Sequence, residues 1–254
     1  SLKPGAGMEE MTMDMGGGSG IVVEENTGAP QSQVDEAAIL YASGMAAIVG
    51  LLMSKLNAGD EVVFFDECYH RSREFCTKHL TRFGVITRQV KTCDYKAMEA
   101  AITPRTKLMI INTPHNPTAT VLSAEDLRLL EGMLRKTDIA VISDEVYEHI
   151  VFDGHQHQSV ARFPGLAERS FLVSSLGKTY HVTGWKMGYV AAPRELMNEF
   201  RKVHQFNAFV ANGPLQYVFA EYMKDKDAYL QLAAFYQKKR NFFLDGLKAS
   251  RFKP

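Results

Sequence analysis

Short apolar runs alternate with amphipathic stretches along most of this chain. "AAILYA" (37–42), "EVVFFD" (61–66), "VITRQV" (85–90), "KLMIIN" (107–112), "IAVISDE" (139–145), "SFLVSS" (170–175) and "GYVAA" (188–192) read as strands. Between them, "SGMAAIVGLLMSKL" (43–56), "SREFCTKHLTRF" (72–83), "YKAMEAAI" (95–102) and "SAEDLRLLEGMLRK" (123–136) read as helices. The last opens on Ser123 with Asp126 three residues on, which predicts a capped start. The strands are mostly apolar throughout rather than alternating, as expected of a sheet covered on both faces. Strands and helices taken in turn predict an α/β fold with a doubly wound, mostly parallel sheet.

The ends of the chain break the pattern. Residues 1 to 35, including "MTMDMGGGSG", are rich in Gly and polar residues without a sustained period, and read as a flexible, atypical arm. Residues 36 to 225 form the expected large domain. Residues 226 to 254, with "DAYLQLAAFYQKKRNFFLDGLKAS" (227–250), read as one long helix that leaves it.

Composition narrows the partners. Of 254 residues, 46% are hydrophobic and 23% charged, with 29 basic residues against 29 acidic ones. A cancelled charge gives no electrostatic reason to expect nucleic acid or a membrane surface. No apolar run approaches the roughly 18 residues that span a bilayer. The polar first residues do not read as a secretory signal. Cys68, Cys76 and Cys93 are odd in number and lack C-x-x-C spacing, which suggests a reducing compartment. A cytoplasmic protein is the expectation, and no metal is called for.

In a doubly wound sheet, ligands bind beyond the carboxyl ends of the strands. Five predicted strand ends carry chemistry. Ser43-Gly44-Met45 follows the first, Tyr69 the second, Asn116-Pro117 the fourth, Asp144 with Tyr147 the fifth, and Ser175 with Lys178 the sixth. A lone loop lysine is ordinarily a solvated surface residue; five loaded strand ends together displace that reading. A lysine amine there can form a Schiff base with an aldehyde cofactor, and pyridoxal 5′-phosphate (PLP) uses such a bond as an electron sink for amino-acid carbanions. Its pyridine nitrogen requires a carboxylate. Its phosphate suits a helix N-terminus with hydroxyls and a cation.

Asn116-Pro117, Asp144-x-x-Tyr147 and Ser175-x-x-Lys178, with Lys186 eight residues on, occur in the order of the fold-type I PLP enzymes, which the chain resembles over about 215 residues. "NTPHNPTATV", "VISDEVYEHI" and "GKTYHVTGWKMGY" look like class I aminotransferases of the methionine and aromatic (kynurenine-type) branch, from about residue 107 onward. "YASGMAAIVGLL" and "GDEVVFFDECYHRSREF" look like the sister cystathionine synthase and methionine lyase group, over about 38 to 102. The resemblance implies roles. Lys178 is the Schiff-base lysine and general base. Asp144 pairs with the pyridinium nitrogen. Asn116 and Tyr147 donate to the ring's phenolic oxygen, and Tyr69 stacks on the ring. Ser43, Gly44, Met45, Ser175 and Lys186 hold the phosphate, although Lys186 stands where most of the family has arginine, which grips phosphate with a fork rather than a point charge.

The implied function is transfer of an amino group from methionine or an aromatic amino acid to a 2-oxo acid, by a homodimer. Two alternatives stand beside it: a carbon–sulfur lyase or gamma-synthase, and a PLP-binding scaffold with little turnover. The last arises because the family's small C-terminal domain, with its substrate-carboxylate arginine, has no counterpart after the long helix. The expected large domain is therefore truncated.

Overall fold

The computed structural model describes residues 9–13, 21–25 and 36–252. Nine strands join one sheet in the order β2-β1-β3-β9-β8-β7-β6-β4-β5. They are β1 (Glu9–Met13), β2 (Ile21–Glu25), β3 (Glu36–Tyr41), β4 (Glu61–Phe65), β5 (Ile86–Val90), β6 (Thr106–Asn112), β7 (Ala140–Asp144), β8 (Ser170–Ser175) and β9 (Gly188–Pro193). From β8 through β7, β6 and β4 to β5 every pairing is parallel, while β9 runs antiparallel to both β3 and β8. All seven expected strands are present, each end within a residue of its expected bound.

Of the expected arm, residues 9–13 and 21–25 pair with each other, and Met13 pairs with Ala38 of β3. The remainder of residues 1 to 35 lies outside the described residues.

The helices are α1 (Gly44–Lys55), α2 (His70–Glu74), α3 (Tyr95–Ala101), α4 (Ala124–Leu134), α5 (Pro164–Ala167), α6 (Leu176–Thr179), α7 (Arg194–Asn207), α8 (Gly213–Tyr222), α9 (Asp227–Leu230) and α10 (Leu232–Leu247). The period of two along each strand sends alternate residues to opposite layers. Phe64, Ile110, Ile142 and Val173 pack with Ile48 and Leu51 of α1 and Phe200 of α7. Val63, Phe65, Met109, Ile111 and Val141 pack on the other face with Met98 of α3 and Leu127, Leu130 and Leu134 of α4. A third cluster joins Leu40, Leu172 and Tyr189 to Phe219 of α8. Burial of each such side chain contributes about 1.5–3 kcal/mol, and two covered faces explain the continuous apolar runs.

Ser123 caps α4 as expected: its hydroxyl accepts from Asp126 N–H at 3.2 Å, and the Asp126 carboxylate accepts from Ser123 N–H at 2.7 Å. The stretch expected as one helix over 72–83 is instead α2, a π turn at Phe75–His79 and a 3₁₀ turn at Leu80–Phe83. Its buried residues Ser72, Cys76 and Leu80 recur every four positions. An α-helix would rotate such a stripe by about 40° per step, and the wider π turn absorbs that drift. The expected long helix over 227–250 is broken at Gln231, a residue flanked by no Gly or Pro.

Candidate active site

All the parallel strands end on the same edge of the sheet, and the predicted residues gather there. Tyr41 and Ser175 both pair with Gly188, so the ends of β3 and β8 meet across the first residue of β9. The turn after β3 is built for close approach. A Cβ at Gly188 would lie 2.6 Å from Ser43 C and 3.0 Å from Ser174 O, so only glycine lets β9 begin there. Ser43 caps α1, its hydroxyl accepting from Ala46 N–H at 3.0 Å. The Gly44 and Met45 N–H groups open that helix outside its own ladder, at the positive end of its dipole.

Ser175 ends β8 and donates its hydroxyl to Met187 C=O at 3.2 Å. Lys178 follows in α6 and is half-buried. Lys186 is exposed and sits in left-handed backbone at φ 58, a conformation that costs a non-glycine residue. Asn116 Nδ2 donates to the Tyr147 hydroxyl at 2.9 Å. Asn116, Tyr147 and Lys178 line one cavity of about 800 Å³, together with His181, Tyr236 and Arg240. There α10 is tied down twice: Tyr236 bonds His181 at 3.0 Å, and Arg240 forms a bidentate pair with Asp153 at 2.6 Å. Tyr69 is the N-cap of α2, with its ring exposed beside His70 at 4.8 Å between centroids.

Asp144, the last residue of β7, is 8% exposed. Its carboxylate accepts one hydrogen bond, from Val146 N–H at 3.3 Å. Burial pushes its pKa up to about 7, with the neighbouring Glu145 charge acting in the same direction. Other buried carboxylates are better satisfied. Glu61 takes Arg88 at 2.7 Å and Arg105 at 2.8 Å, and those donors hold its pKa down at about 2. Glu145 accepts from Ser143 Oγ and Val160 N–H and meets His157 Nε2 at 2.7 Å. Among the described residues no cation faces Asp144. It is a buried carboxylate whose charged form has no neutralising partner among the described residues.

The structure thus brings Asn116 to Tyr147, both of them to the cavity of Lys178, and the Ser43–Met45 turn to Ser175. Among the described residues, Lys186 forms no hydrogen bond or ion pair with them. Two contributors were absent from the expected set. Gly188 passes for an ordinary first residue of a strand. Asn112 passes for the polar end of an apolar run, yet its side chain accepts from Tyr69 N–H at 3.0 Å and donates to Asp144 C=O at 2.9 Å.

These residues fit PLP. An unpaired buried carboxylate, a half-buried lysine amine, an amide–phenol pair and a helix N-terminus are the partners that a protonated pyridine, an aldehyde, a phenolic oxygen and a phosphate require.

The family model for aminotransferase class I and II matches residues 26–254, spanning both the aminotransferase-like and the lyase-like stretches. A methionine aminotransferase of Escherichia coli (strain K12) is 38% identical over 227 residues, covering 87% of this chain and 58% of its own length. A kynurenine–oxoglutarate transaminase of Homo sapiens is 35% identical over 169 residues, 63% of this chain and 40% of its own. Among solved structures, an Escherichia coli protein identified as having a methionine aminotransferase function superposes with a TM-score of 0.79 at 38% identity, over 87% of this chain and 59% of that one. The N-succinyldiaminopimelate aminotransferase of Mycobacterium tuberculosis superposes at 0.75 and 32% identity, over 83% and 56%. The chain therefore spans less than two thirds of the length of these relatives. No helix among the described residues is long and apolar enough to cross a membrane.

Proposed function

The chain belongs to the aminotransferase class I and II family, and from that premise we propose that it is the cofactor-binding part of a PLP-dependent aminotransferase. It moves an amino group from an amino acid, methionine or an aromatic one, to a 2-oxo acid. Members of the family use PLP. The observation that carries the proposal is Asp144: a buried carboxylate with a single N–H donor and no facing cation, on the same sheet edge as Lys178.

In this proposal each residue has one task. The Asp144 carboxylate keeps a proton on the ring nitrogen. Asn116 Nδ2 and the Tyr147 hydroxyl donate to the phenolic oxygen and favour its anionic form. The Tyr69 ring would stack on the cofactor ring. The Gly44 and Met45 N–H groups, the Ser43 and Ser175 hydroxyls and the Lys186 ammonium hold the phosphate. Lys178 Nζ would hold the aldehyde group and, when free, would carry the proton to and from the substrate's α-carbon. When bound, the cofactor supplies the electron sink for the charge left on that carbon. The protein acts in the cytoplasm as a homodimer, with α1 and the Tyr69 loop near the partner.

The aminotransferase names of the relatives favour transamination over carbon–sulfur lysis. The test is to incubate the PLP-loaded protein with methionine or phenylalanine and a 2-oxo acid, and to follow products. Formation of the amino acid matching the 2-oxo acid is expected. Release of a thiol and ammonia instead would mark a lyase. Neither product from a PLP-loaded protein would favour the scaffold.

A further inference from the structure

Tyr69 and Asp144 belong to different strand ends, after β4 and on β7, and β6 lies between those strands. Asn112, the last residue of β6, bridges the gap with one side chain. Its Oδ1 accepts from Tyr69 N–H at 3.0 Å and its Nδ2 donates to Asp144 C=O at 2.9 Å. A primary amide carries its acceptor and its donor on two separate atoms of one short stem, so it can hold one partner on each. Aspartate would keep the acceptor and lose the donor; alanine would lose both.

The surrounding bonds make this bridge the inner anchor of the Tyr69 loop. The start of that loop is fastened outward, toward the end of β5: Asp66 Oδ1 accepts from Thr92 N–H at 2.8 Å and from the Thr92 hydroxyl at 2.7 Å. Arg73 donates back to Asp66 C=O at 2.7 Å. At Tyr69 itself the inward tie is Asn112. On the other side, Asp144 C=O is held a second time, by Thr113 N–H at 3.0 Å, so the strand end is the fixed post and the loop is the part being located.

We propose that Asn112 is a positioning residue of the cofactor site, which fixes the spacing between the aromatic ring of Tyr69 and the carboxylate of Asp144. A flat heterocycle can then lie against the first while its nitrogen meets the second. The inference rests on the PLP-site assignment above and adds to it a residue that need not touch the cofactor.

The test compares the wild type with Asn112→Ala, Asn112→Asp, Tyr69→Ala and the double variant Asn112→Ala/Tyr69→Ala, each titrated with PLP. Three quantities are read: the dissociation constant, the visible circular dichroism per bound PLP, and the thermal midpoint of the unliganded protein. Asn112→Ala is expected to weaken PLP binding about tenfold, the scale of one lost hydrogen bond, and to lower the induced dichroism. Asn112→Asp, which still accepts from Tyr69 N–H, falls between it and the wild type. In the Tyr69→Ala background the same Asn112→Ala change costs less than about threefold, because the ring to be located is gone. An equal loss in both backgrounds would overturn the proposal, as would a lowered midpoint with unchanged affinity and dichroism. A wild type that binds no PLP would overturn the cofactor site itself, and this inference with it.

Discussion

The Asn116 side-chain amide and the Tyr147 hydroxyl, 31 residues apart in the chain, meet at 2.9 Å on the wall of the Lys178 cavity. Asn116 is exposed and Tyr147 half-buried, so the bond contributes little to folding. Under the proposed function, its value would lie in offering two donors to an acceptor bound in the cavity they share with Lys178. Tyr147→Phe is therefore expected to change stability by less than about 0.5 kcal/mol. In the PLP-loaded protein it raises the apparent pKa read from the visible band by roughly 1–2 units, because one donor to an anionic oxygen is lost. A pH titration of the spectrum beside a thermal melt checks both halves.

Asp144 sets a pH dependence. Its pKa in the folded protein, about 7, is above the ordinary carboxylate value of about 3.9. The folded chain thus holds the proton more tightly than the unfolded chain does. The stability this contributes is fully present below about pH 4 and is lost as the pH rises through 7. Asp144→Asn keeps an acceptor for Val146 N–H and carries no charge. The unliganded variant is expected to exceed the unliganded wild type at pH 8 by on the order of 2–4 kcal/mol, and the gap closes toward pH 4. The same variant loses PLP affinity. Thermal melts at the two pH values, with and without PLP, would show a gain in stability opposed by a loss of binding.

Gly188 carries a steric prediction. Its missing Cβ is the space in which the Ser43–Gly44 turn sits against Ser174. Gly188→Ala is expected to destabilise the fold by about 1–3 kcal/mol, the usual cost of overpacking. It also weakens PLP more than it weakens pyridoxal, which lacks the phosphate. Equal weakening of the two ligands would remove the turn from the phosphate site.

Lys186 offers a gain rather than a loss. It is exposed and, among the described residues, forms no hydrogen bond or ion pair, so its replacement disturbs little. Lys186→Arg restores the forked donor and is expected to tighten PLP roughly two- to tenfold, with pyridoxal affinity unchanged. Competitive titration of both ligands measures the difference.

The strand set and the strand-end residues were legible because a sheet covered on both faces leaves uninterrupted apolar runs, and the residues after those runs stand out. Asn112 was hidden for a physical reason. Its role depends on β6 lying between β4 and β7, and the order of strands in space is not written in the order along the chain. Gly188 was hidden because its constraint comes from the backbone of Ser43, far away in sequence. Helix α7 was not among the expected elements, although Met197, Phe200 and His204 recur at helical spacing and are buried. The 72–83 stretch is helical, as its spacing predicts, but changes pitch along its length, since hydrophobic spacing distinguishes a helix from a strand more readily than an α turn from a π turn.

The most direct test of the account is covalent. The purified chain is mixed with PLP, treated with borohydride and digested, and the modified peptide is identified by mass, beside a Lys178→Ala control. A visible band that borohydride abolishes, with the pyridoxyl group fixed on Lys178 and absent from the control, is the expected result. A label on another lysine, or one that persists in Lys178→Ala at equal yield, would contradict it.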